Sequence, residues 1–373
     1  MYGTTGELIK IAPLMLELER SGRSHVTVTT GQQPDQIGEF LDGFGLRQPT
    51  YWFARGHRGR DLRQNWHIPG WLGRVFWTAI RKRGTMRRLL ASDGRPPLVV
   101  IHGDTLTTLV AAIIGRVIWG LPVAHVEAGY RTETWREPFP EELCRRGASR
   151  LARINYASGP HCADNLRRER TVRGDIVDTG FNTIRDAVML AAESERQASV
   201  EVPDEPFGVV SLHRFELLHH QDGLFRRTLE ILRDSAEHGP PLLFVDHTIT
   251  AGVLENDGLE DLFTPRFRRI PRLPYFEFMG ILRRSSFLVT DSGGNQQECW
   301  QLGHPCLVHR LHTEHADSED GSVVVSRFDL DVLRRFLDGG WRDLREGTKD
   351  IASPTGLIVA DLEARGHLAP AGA

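Results

Sequence analysis

The sequence predicts an α/β protein built from two sets of parallel strands and connecting helices. Short apolar runs, such as residues 97–101 and 287–289, alternate with longer amphipathic segments along most of the chain. This alternation is typical of strand–helix–strand units with parallel strands. A polar tract at residues 193–206 interrupts the pattern, and a second alternating set begins at residues 207–212. Two such sets indicate two Rossmann-like domains that face each other across a cleft, the GT-B type.

Length and composition fit this architecture and restrict the classes of partner. A chain of 373 residues is long enough for two domains, each with its own core. Its net charge of −3 gives no general attraction to nucleic acid. The longest apolar window, residues 109–123, contains Arg116 and Pro122 and is too short to span a bilayer. Nothing at the N-terminus resembles a secretory signal, so we expect a cytoplasmic protein.

The cysteines give no sign of a metal site. Cys144, Cys162, Cys299 and Cys306 form no C-x-x-C pair and have no histidines at metal-binding spacing. We therefore expect a reduced protein without structural zinc. No motif indicates a cofactor.

In chain order, the first domain begins with a glycine-containing loop and a helix at residues 7–18, an arrangement suited to phosphate. An alternating run at residues 25–30 predicts a strand. A tryptophan-rich stretch follows, in which apolar residues recur at helical spacing in two neighbouring rows: Trp71, Val75, Ala79 and Leu72, Phe76, Ile80. We expect this face to pack on the first sheet. The alternative is that the basic, aromatic segment 66–88 contacts an anionic membrane.

Three carboxylates of the first domain lie at or near the ends of predicted strands. Asp104 follows the strand at residues 97–101, Glu127 follows the strand at residues 121–126, and Glu141 begins a helix after a loop. This edge is where open parallel sheets bind ligands. Paired carboxylates suit acid–base chemistry, because burial and mutual repulsion separate their pKa values. The alternative for Glu141 is a structural role at the positive end of its helix.

The second domain contains a predicted strand, a Ser-Gly-Gly turn and a helix between residues 287 and 302. Gly293 and Gly294 let the backbone approach a ligand, and the helix N-terminus offers N–H groups to an anion. We predict that Ser292 and these glycines hold a diphosphate and that Glu298 reaches sugar hydroxyls. An ordinary helix capped by Ser292 is the alternative. His213, at the end of another strand, faces the same predicted cleft.

Six motifs follow one another in a particular order along the chain. They are Gly-Asp-Thr-x-Thr-Thr at 103–108, His-Val-Glu-Ala-Gly-x-Arg-Thr at 125–132, Pro-Phe-Pro-Glu-Glu at 138–142, His-Arg at 213–214, Thr-Asp-Ser-Gly-Gly-x-Gln at 290–296 and Thr-Glu at 313–314. This order resembles that of the UDP-N-acetylglucosamine 2-epimerase family. The resemblance runs from about Gly3 to the last helix, and it implies a UDP-N-acetylglucosamine-like substrate and a homodimer, with no nucleic acid partner.

The resemblance also bears on the domains. We expect a first domain at residues 1–180, a second at residues 181–353, and a terminal helix, about 354–373, that packs back on the first. The sequence starts at the loop after the family's first strand, so we expect that strand to be missing.

The resemblance implies the chemistry as well. Members of the family invert carbon 2 of a UDP-amino sugar by eliminating UDP and adding it back. Asp104, Glu127 and Glu141 would form the acid–base set, assisted by His213. The residues implied in binding UDP are Lys10, Arg272, Phe276, Ser292, Gly293, Gly294, Glu298 and Glu314.

Three positions depart from the family, because Thr5, Phe215 and His315 stand where relatives have arginine. A charge-assisted hydrogen bond contributes about 1.5–3 kcal/mol, so the hold on the diphosphate is altered. Three alternatives therefore stay open: a hydrolysing 2-epimerase, a glycosyltransferase with a larger and apolar acceptor, and a non-enzymatic sensor of nucleotide sugars. Gln32 matches a regulatory site of some relatives, but the residues after it do not.

Overall fold

The computed structural model describes residues 1–370 except 63–64, 92–93, 132–139, 195–198, 314 and 316–317. It confirms the predicted α/β class, with parallel strands and connecting helices in two compact units. The first unit contains Met1–Ala187 and Ile351–Ala373, and the second contains Val188–Asp350. The two boundaries predicted from the sequence lie at residues 180 and 353, whereas the units of the structure divide after Ala187 and after Asp350. No helix of the described residues combines the length and apolar character needed to cross a bilayer.

The first unit alternates helices and strands. In chain order these are α1 (Thr5–Arg20), β1 (Val28–Thr29), α2 (Pro34–Phe44), β2 (Tyr51–Trp52), α3 (Ile68–Arg81), α4 (Arg83–Leu90), β3 (Val99–His102), α5 (Leu106–Ile113), β4 (Val123–Ala128), α6 (Glu141–Leu151), β5 (Ile154–Ala157), α7 (Pro160–Arg168), β6 (Asp175–Asp178) and α8 (Ile184–Ala192), whose residues from Val188 onward belong to the second unit. A π-helical segment, Ile114–Trp119, continues α5.

The central sheet of the first unit has the order β3-β4-β5-β6, and β1 pairs with β2. Tyr2 forms a parallel bridge to Thr29, and the Met1 ammonium donates a hydrogen bond to the carbonyl of Val100 at 2.6 Å. Residues 1–3 therefore lie between β1 and β3, where the sequence analysis expects a strand to be missing. Desolvation lowers the pKa of the Met1 ammonium to about 6.

The tryptophan-rich helix α3 packs as the favoured interpretation predicts. Trp71, Val75 and Ala79 are buried and belong to one core cluster with Val99 and Ile101 of β3. The Trp71 indole donates a hydrogen bond to the carbonyl of Thr30 at 2.9 Å. The neighbouring row does not follow completely, because Ile80 is exposed.

The chain's last described helix, α15 (Pro354–Ala364), belongs to the first unit and packs against α1. Arg23 donates a hydrogen bond to Glu363 at 2.6 Å, and the Tyr156 hydroxyl donates one to Asp361 at 2.9 Å. The C-terminal segment is thus tied to the end of α1 and to β5.

The second unit has the same alternation. Its elements are β7 (Gly208–Ser211), α9 (Phe215–Leu218), α10 (Leu224–His238), β8 (Leu242–Asp246), α11 (Thr248–Asn256), β9 (Phe267–Pro271), α12 (Tyr275–Arg284), β10 (Phe287–Thr290), α13 (Gly293–Leu302), β11 (Cys306–Val308), β12 (Val323–Val325) and α14 (Leu330–Leu337).

The sheet of the second unit has the order β12-β11-β10-β7-β8-β9, and its strand pairs are parallel. From β7 the chain moves outward through β8 and β9, and then returns to the other side of β7 as β10. The point between β7 and β10 is therefore a topological switch point, where ligands of α/β sheets bind. The loop with His213 follows β7, and Ser292 follows β10.

Candidate active site

Glu127 lies at an irregular end of β4. Its φ angle is 63°, in the left-handed region, and the pairing of β4 with β5 shifts register between Val126 and Ala128. Such an irregularity redirects a side chain from its regular position on the strand. A non-glycine residue in this region costs about 1–3 kcal/mol and persists where its surroundings hold it, commonly at functional sites.

The surroundings of Glu127 are polar and largely buried. Its Oε1 forms an ion pair with the Lys10 ammonium and accepts a hydrogen bond from Asn182 at 2.5 Å. Its Oε2 lies 3.3 Å from Nδ1 of His102. Desolvation lowers the pKa of His102 to about 3, so this imidazole is neutral at pH 7 and Lys10 supplies the positive charge.

Asp104 lies in the loop between β3 and α5, and 32 % of its side chain is exposed. Its Oδ2 accepts a hydrogen bond from Arg145 of α6 at 2.5 Å. The preceding Gly103 has a φ of 75°, and its carbonyl lies 2.7 Å from Nε2 of His125. A Cβ at Gly103 would lie 3.4 Å from Oε2 of Glu127, so the Asp104 loop runs beside that carboxylate.

Glu141 joins this group from the first turn of α6. Burial raises the pKa of the Cys144 thiol to about 12, with smaller contributions from the negative charges of Asp104 and Glu141. Both carboxylates therefore lie near the same thiol. One buried carboxylate oxygen of Glu141, Oε2, accepts no hydrogen bond from the part of the chain that the structure describes. An oxygen of this kind is available to a ligand or to a proton.

Sequence reasoning missed Glu7, which joins two loops of this site. Its buried carboxylate accepts hydrogen bonds from the backbone of Gly3 at 2.7 Å and from Thr108 at 3.0 Å. It also accepts one from the Thr105 hydroxyl. The signal was present, because Thr4 and Glu7 form a capping box at the start of α1.

Thr5, one of the three arginine replacements, contacts the β1–α2 loop. Its backbone N–H donates a hydrogen bond to Oε1 of Gln33 at 2.9 Å, and its hydroxyl donates one to the same oxygen at 3.1 Å. The neighbouring Gln32 accepts one from Thr107 at 3.0 Å. Gln32 and Gln33, in the region where some relatives have a regulatory site, are thus engaged in contacts within the unit.

Asp291, at the end of β10, organises the candidate site of the second unit. It is fully buried, and its Oδ2 accepts hydrogen bonds from the backbone N–H groups of His213 at 2.9 Å and Arg214 at 2.7 Å. Desolvation raises the pKa of Asp291 to about 6, against the effect of these hydrogen bonds. The residue lies within a motif noted in the sequence, but its partners are about 78 positions away.

His213 is held close to this carboxylate and to cationic side chains. Its Nδ1 lies 3.5 Å from Oδ1 of Asp291, and its ring centroid is 4.3 Å from that of His247. Desolvation lowers the pKa of His213 to about 4, with further lowering by Arg214, Arg272 and Arg310. His213 is therefore a neutral imidazole at pH 7, beside positive charge.

Helix α13 begins at Gly293, so the predicted turn glycines are its first residues. Ser292 caps the helix by accepting a hydrogen bond from the Asn295 N–H. A Cβ at Gly293 would lie 2.7 Å from the ring of His315 and 3.6 Å from Nη1 of Arg310. The close approach of the His315 ring, and not a positive φ, therefore favours glycine at position 293, whereas the distance to Arg310 is an ordinary contact. A Cβ at Gly294 would meet only the Ser292 hydroxyl, at 3.7 Å.

Arg310 was not singled out in the sequence, and it lies beside the N-terminus of α13. The only sequence signal is its place at the end of β11, on the same sheet edge as Ser292. Its guanidinium adds a cation at a helix end that already favours anions.

The remaining predicted contacts of the second unit divide into buried and exposed residues. Glu298 is buried and accepts a hydrogen bond from Asn295 at 2.8 Å. Burial and the neighbouring Glu298 carboxylate raise the pKa of Tyr275, and Phe276 beside it is also buried. Arg272 is exposed. The predicted Glu314 lies outside the described residues.

Phe215 and His315 are the other two residues that stand where relatives have arginine, and their surroundings differ. Phe215 is 69 % exposed and stacks on His219 with ring centroids 3.9 Å apart. His315 is buried against Gly293.

Each unit thus collects one group of the predicted residues. The first unit brings Lys10, Asp104, Glu127 and Glu141 to the carboxyl edge of its sheet. The second brings His213 and the Ser292–α13 segment to its switch point, with Asp291 between them. Together these features define an α/β protein of the GT-B type, with an anion-accepting helix end in one Rossmann-like domain and an acidic group in the other.

Comparison with known proteins identifies the family. The sequence model of UDP-N-acetylglucosamine 2-epimerases matches residues 85–331. The UDP-N-acetylglucosamine 2-epimerase of Campylobacter jejuni is 29% identical over 340 residues, which cover 87% of this chain and 84% of that protein. The enzyme of the same name from Bacillus subtilis is 28% identical over 341 residues, covering 87% of this chain and 81% of the relative.

Solved structures show the same fold. The Neisseria meningitidis UDP-GlcNAc 2-epimerase, bound to UDP-GlcNAc, has a TM-score of 0.76 at 24% identity and covers 97% of this chain and 98% of its own. The Methanocaldococcus jannaschii enzyme, in complex with UDP-GlcNAc and UDP, has a TM-score of 0.74 at 22% identity, with 98% of each chain covered. The chain belongs to the UDP-N-acetylglucosamine 2-epimerase family and is an enzyme of that family.

Proposed function

We propose that this chain is a non-hydrolysing epimerase, which inverts carbon 2 of UDP-N-acetylglucosamine or a closely related UDP-sugar. The observation that carries the proposal is the acidic group of the first unit. All three carboxylates implied by the resemblance are present, and Glu127 is held beside Lys10 in a backbone conformation that costs free energy.

The proposed reaction has two steps. A carboxylate removes the proton from carbon 2, the electrons of that C–H bond form a double bond to carbon 1, and the bond from carbon 1 to UDP breaks. UDP then adds back to carbon 1 while a proton reaches carbon 2 from the opposite face. We assign proton removal to Asp104, the partly exposed carboxylate, and proton supply to Glu127 and Glu141.

The departing diphosphate needs stabilisation in this scheme. We place it at the start of α13, where helix N–H groups, Ser292 and Gly294 surround a space that a Cβ would enter without a clash. Arg310 beside Gly293 and Arg272 near His213 supply positive charge. Neutral His213 can donate a hydrogen bond to the sugar or to a phosphate oxygen.

A hydrolysing 2-epimerase is the second candidate, and one observation favours it. Thr5 and Phe215 provide no cation, so UDP is held by fewer charges than in relatives with arginine at these positions. If UDP escapes after the first step, the hydroxyl of water adds to carbon 1, a proton adds to carbon 2, and a free amino sugar results. The glycosyltransferase alternative shares the fold but has no observation of its own.

The location and the assembly are part of the proposal. Four cysteines are free and buried, which supports a reducing compartment such as the cytoplasm. A homodimer is implied by the resemblance, and light scattering of the purified protein would measure it.

Product analysis distinguishes the reactions. The protein is incubated with UDP-N-acetylglucosamine and followed by proton and phosphorus NMR. We expect an equilibrium mixture of two UDP-amino sugars that differ in the configuration of carbon 2, without release of free UDP. Accumulation of UDP with free amino sugar would contradict the non-hydrolysing assignment and support hydrolysis. An unchanged substrate that binds tightly would contradict both.

A further inference from the structure

Helix α3 has two apolar faces, and only one of them packs in the hydrophobic core. Trp71, Val75 and Ala79 pack inward. Trp77 and Ile80, three residues apart and therefore on one stripe, point the other way and are 62 % and 57 % exposed. Large exposed apolar side chains close to one another commonly mark an interaction site.

This exposed stripe lies within a strongly basic segment. Residues 66–91 contain six arginines and lysines and no aspartate or glutamate, whereas the whole chain has a net charge of −3. Arg81 follows the stripe at the end of α3, and Arg83, Arg87 and Arg88 are exposed on α4. The charge of the molecule is therefore distributed unevenly, with an excess of cations around Trp77 and Ile80.

We propose that this surface, the α3–α4 patch (Trp77, Ile80, Arg81, Arg83, Arg87 and Arg88), docks peripherally on an anionic phospholipid bilayer. Tryptophan favours the boundary between headgroups and acyl chains, because its ring is apolar and its N–H is polar. Ile80 gains from entering the same layer, and the arginines are attracted to anionic headgroups. The proposal does not depend on the reaction that the enzyme catalyses.

Two other partners fit the patch less well. A second copy bound through a two-fold axis would place these arginines against themselves, with no carboxylate in the segment to compensate. Nucleic acid would attract the arginines and could stack on Trp77, but it offers no apolar layer for Ile80. A bilayer accounts for both the charge and the aliphatic side chain.

Vesicle sedimentation tests the proposal with the intact chain. Vesicles of equal parts phosphatidylglycerol and phosphatidylcholine are compared with vesicles of phosphatidylcholine alone, at low salt and at about 0.5 M salt. We expect binding to the anionic vesicles at low salt, weaker binding at high salt, and a blue shift of tryptophan emission on binding. Failure to bind anionic vesicles at low salt would overturn the proposal.

Matched variants separate the two contributions. Trp77→Ala with Ile80→Ala, and separately Arg87→Glu with Arg88→Glu, should each weaken vesicle binding about tenfold or more. Arg334→Glu with Arg335→Glu, an exposed tandem pair on α14, and Val117→Ala, an exposed apolar residue on the π-helical segment, should leave binding unchanged. These side chains lie at the surface, so all variants should keep the melting temperature and the epimerase activity of the parent.

Three results would contradict the proposal. The first is equal loss of binding in the α14 control, which would indicate a nonspecific charge effect. The second is conversion of a dimer to a monomer by Trp77→Ala in light scattering, which would assign the patch to a second copy. The third is tighter binding of duplex DNA than of vesicles, unaffected by Ile80→Ala, which would assign it to nucleic acid.

Discussion

Glu127 has a backbone φ of 63°, and its carboxylate forms an ion pair with the Lys10 ammonium. At the scale of single residues, this pairing links the fold to the proposed chemistry. The backbone is strained, and the side chain is held by Lys10, Asn182 and His102 from three other segments. Such a residue stays in place because several contacts determine its position together.

Glu127→Gln tests the charge of this side chain. The substitution keeps the size of the side chain and removes the carboxyl group that would supply the proton, so we expect kcat to fall about 100-fold to 10,000-fold with UDP binding retained. Steady-state kinetics and calorimetric titration with UDP measure the two effects. An unchanged kcat would remove Glu127 from the acid–base set.

Gly293 and Gly294 form a matched pair for testing the diphosphate site. Gly294→Ala introduces a Cβ that meets only Ser292 at 3.7 Å, so the protein should fold normally and bind UDP more weakly. Gly293→Ala places its Cβ 2.7 Å from His315, so the melting temperature should also fall. Titration with UDP and thermal unfolding provide the measurements. Full UDP affinity in Gly294→Ala would place the diphosphate elsewhere.

At the scale of elements, a side chain at the end of β10 positions the loop that follows β7. Asp291 connects the two strand ends across the switch point and holds the loop that carries His213. The position of His213 thus depends on a carboxylate from another segment of the chain.

Asp291→Ala and Asp291→Asn separate this structural role from the charge. The alanine variant leaves two N–H groups without their acceptor and should lose about 2–4 kcal/mol of stability. The asparagine variant should lose less, because the single oxygen Oδ2 accepts from both His213 and Arg214. Denaturant unfolding measures the difference, and equal losses in both variants would contradict it.

The elements also show what could be predicted from the sequence. The strand–helix alternation and the positions of Asp104, Glu127 and Ser292 at strand ends followed from local patterns, since period and turn residues are local properties. Asp291 and Arg310 could not be assigned a role in this way, because their partners lie on other elements, whereas the capping-box spacing of Thr4 and Glu7 was a local signal. The first turn of α13 was predicted as a turn, since nothing local shows that His315 approaches Gly293.

At the scale of the whole molecule, neutral histidines connect stability to pH. Desolvation lowers the pKa of six histidines to about 3 or about 4: His102, His125, His213, His247, His304 and His309. The unfolded chain takes up protons at these residues below about pH 6.5, whereas the native protein does not. Stability therefore falls as the pH decreases from about 6.5 toward about 4.

We expect the melting temperature to decrease steeply between about pH 7 and about pH 5. Asp291 and Glu7 act in the opposite sense, because burial raises the native pKa of both carboxyl groups, that of Asp291 to about 6, but they are two groups against six. Thermal unfolding across this range is the measurement. A melting temperature that rises on acidification would show that these histidines are not held neutral.

In the proposed mechanism, carboxylates of the first unit exchange a proton at carbon 2 of a nucleotide sugar. Incubation with UDP-N-acetylglucosamine in deuterated water, followed by NMR of carbon 2, tests it most directly. We predict deuterium at carbon 2 of intact UDP-amino sugar, and no deuterium with Asp104→Asn, although that variant still binds UDP. Epimerised product that retains its original hydrogen, or full exchange in the Asp104→Asn variant, would contradict the mechanism.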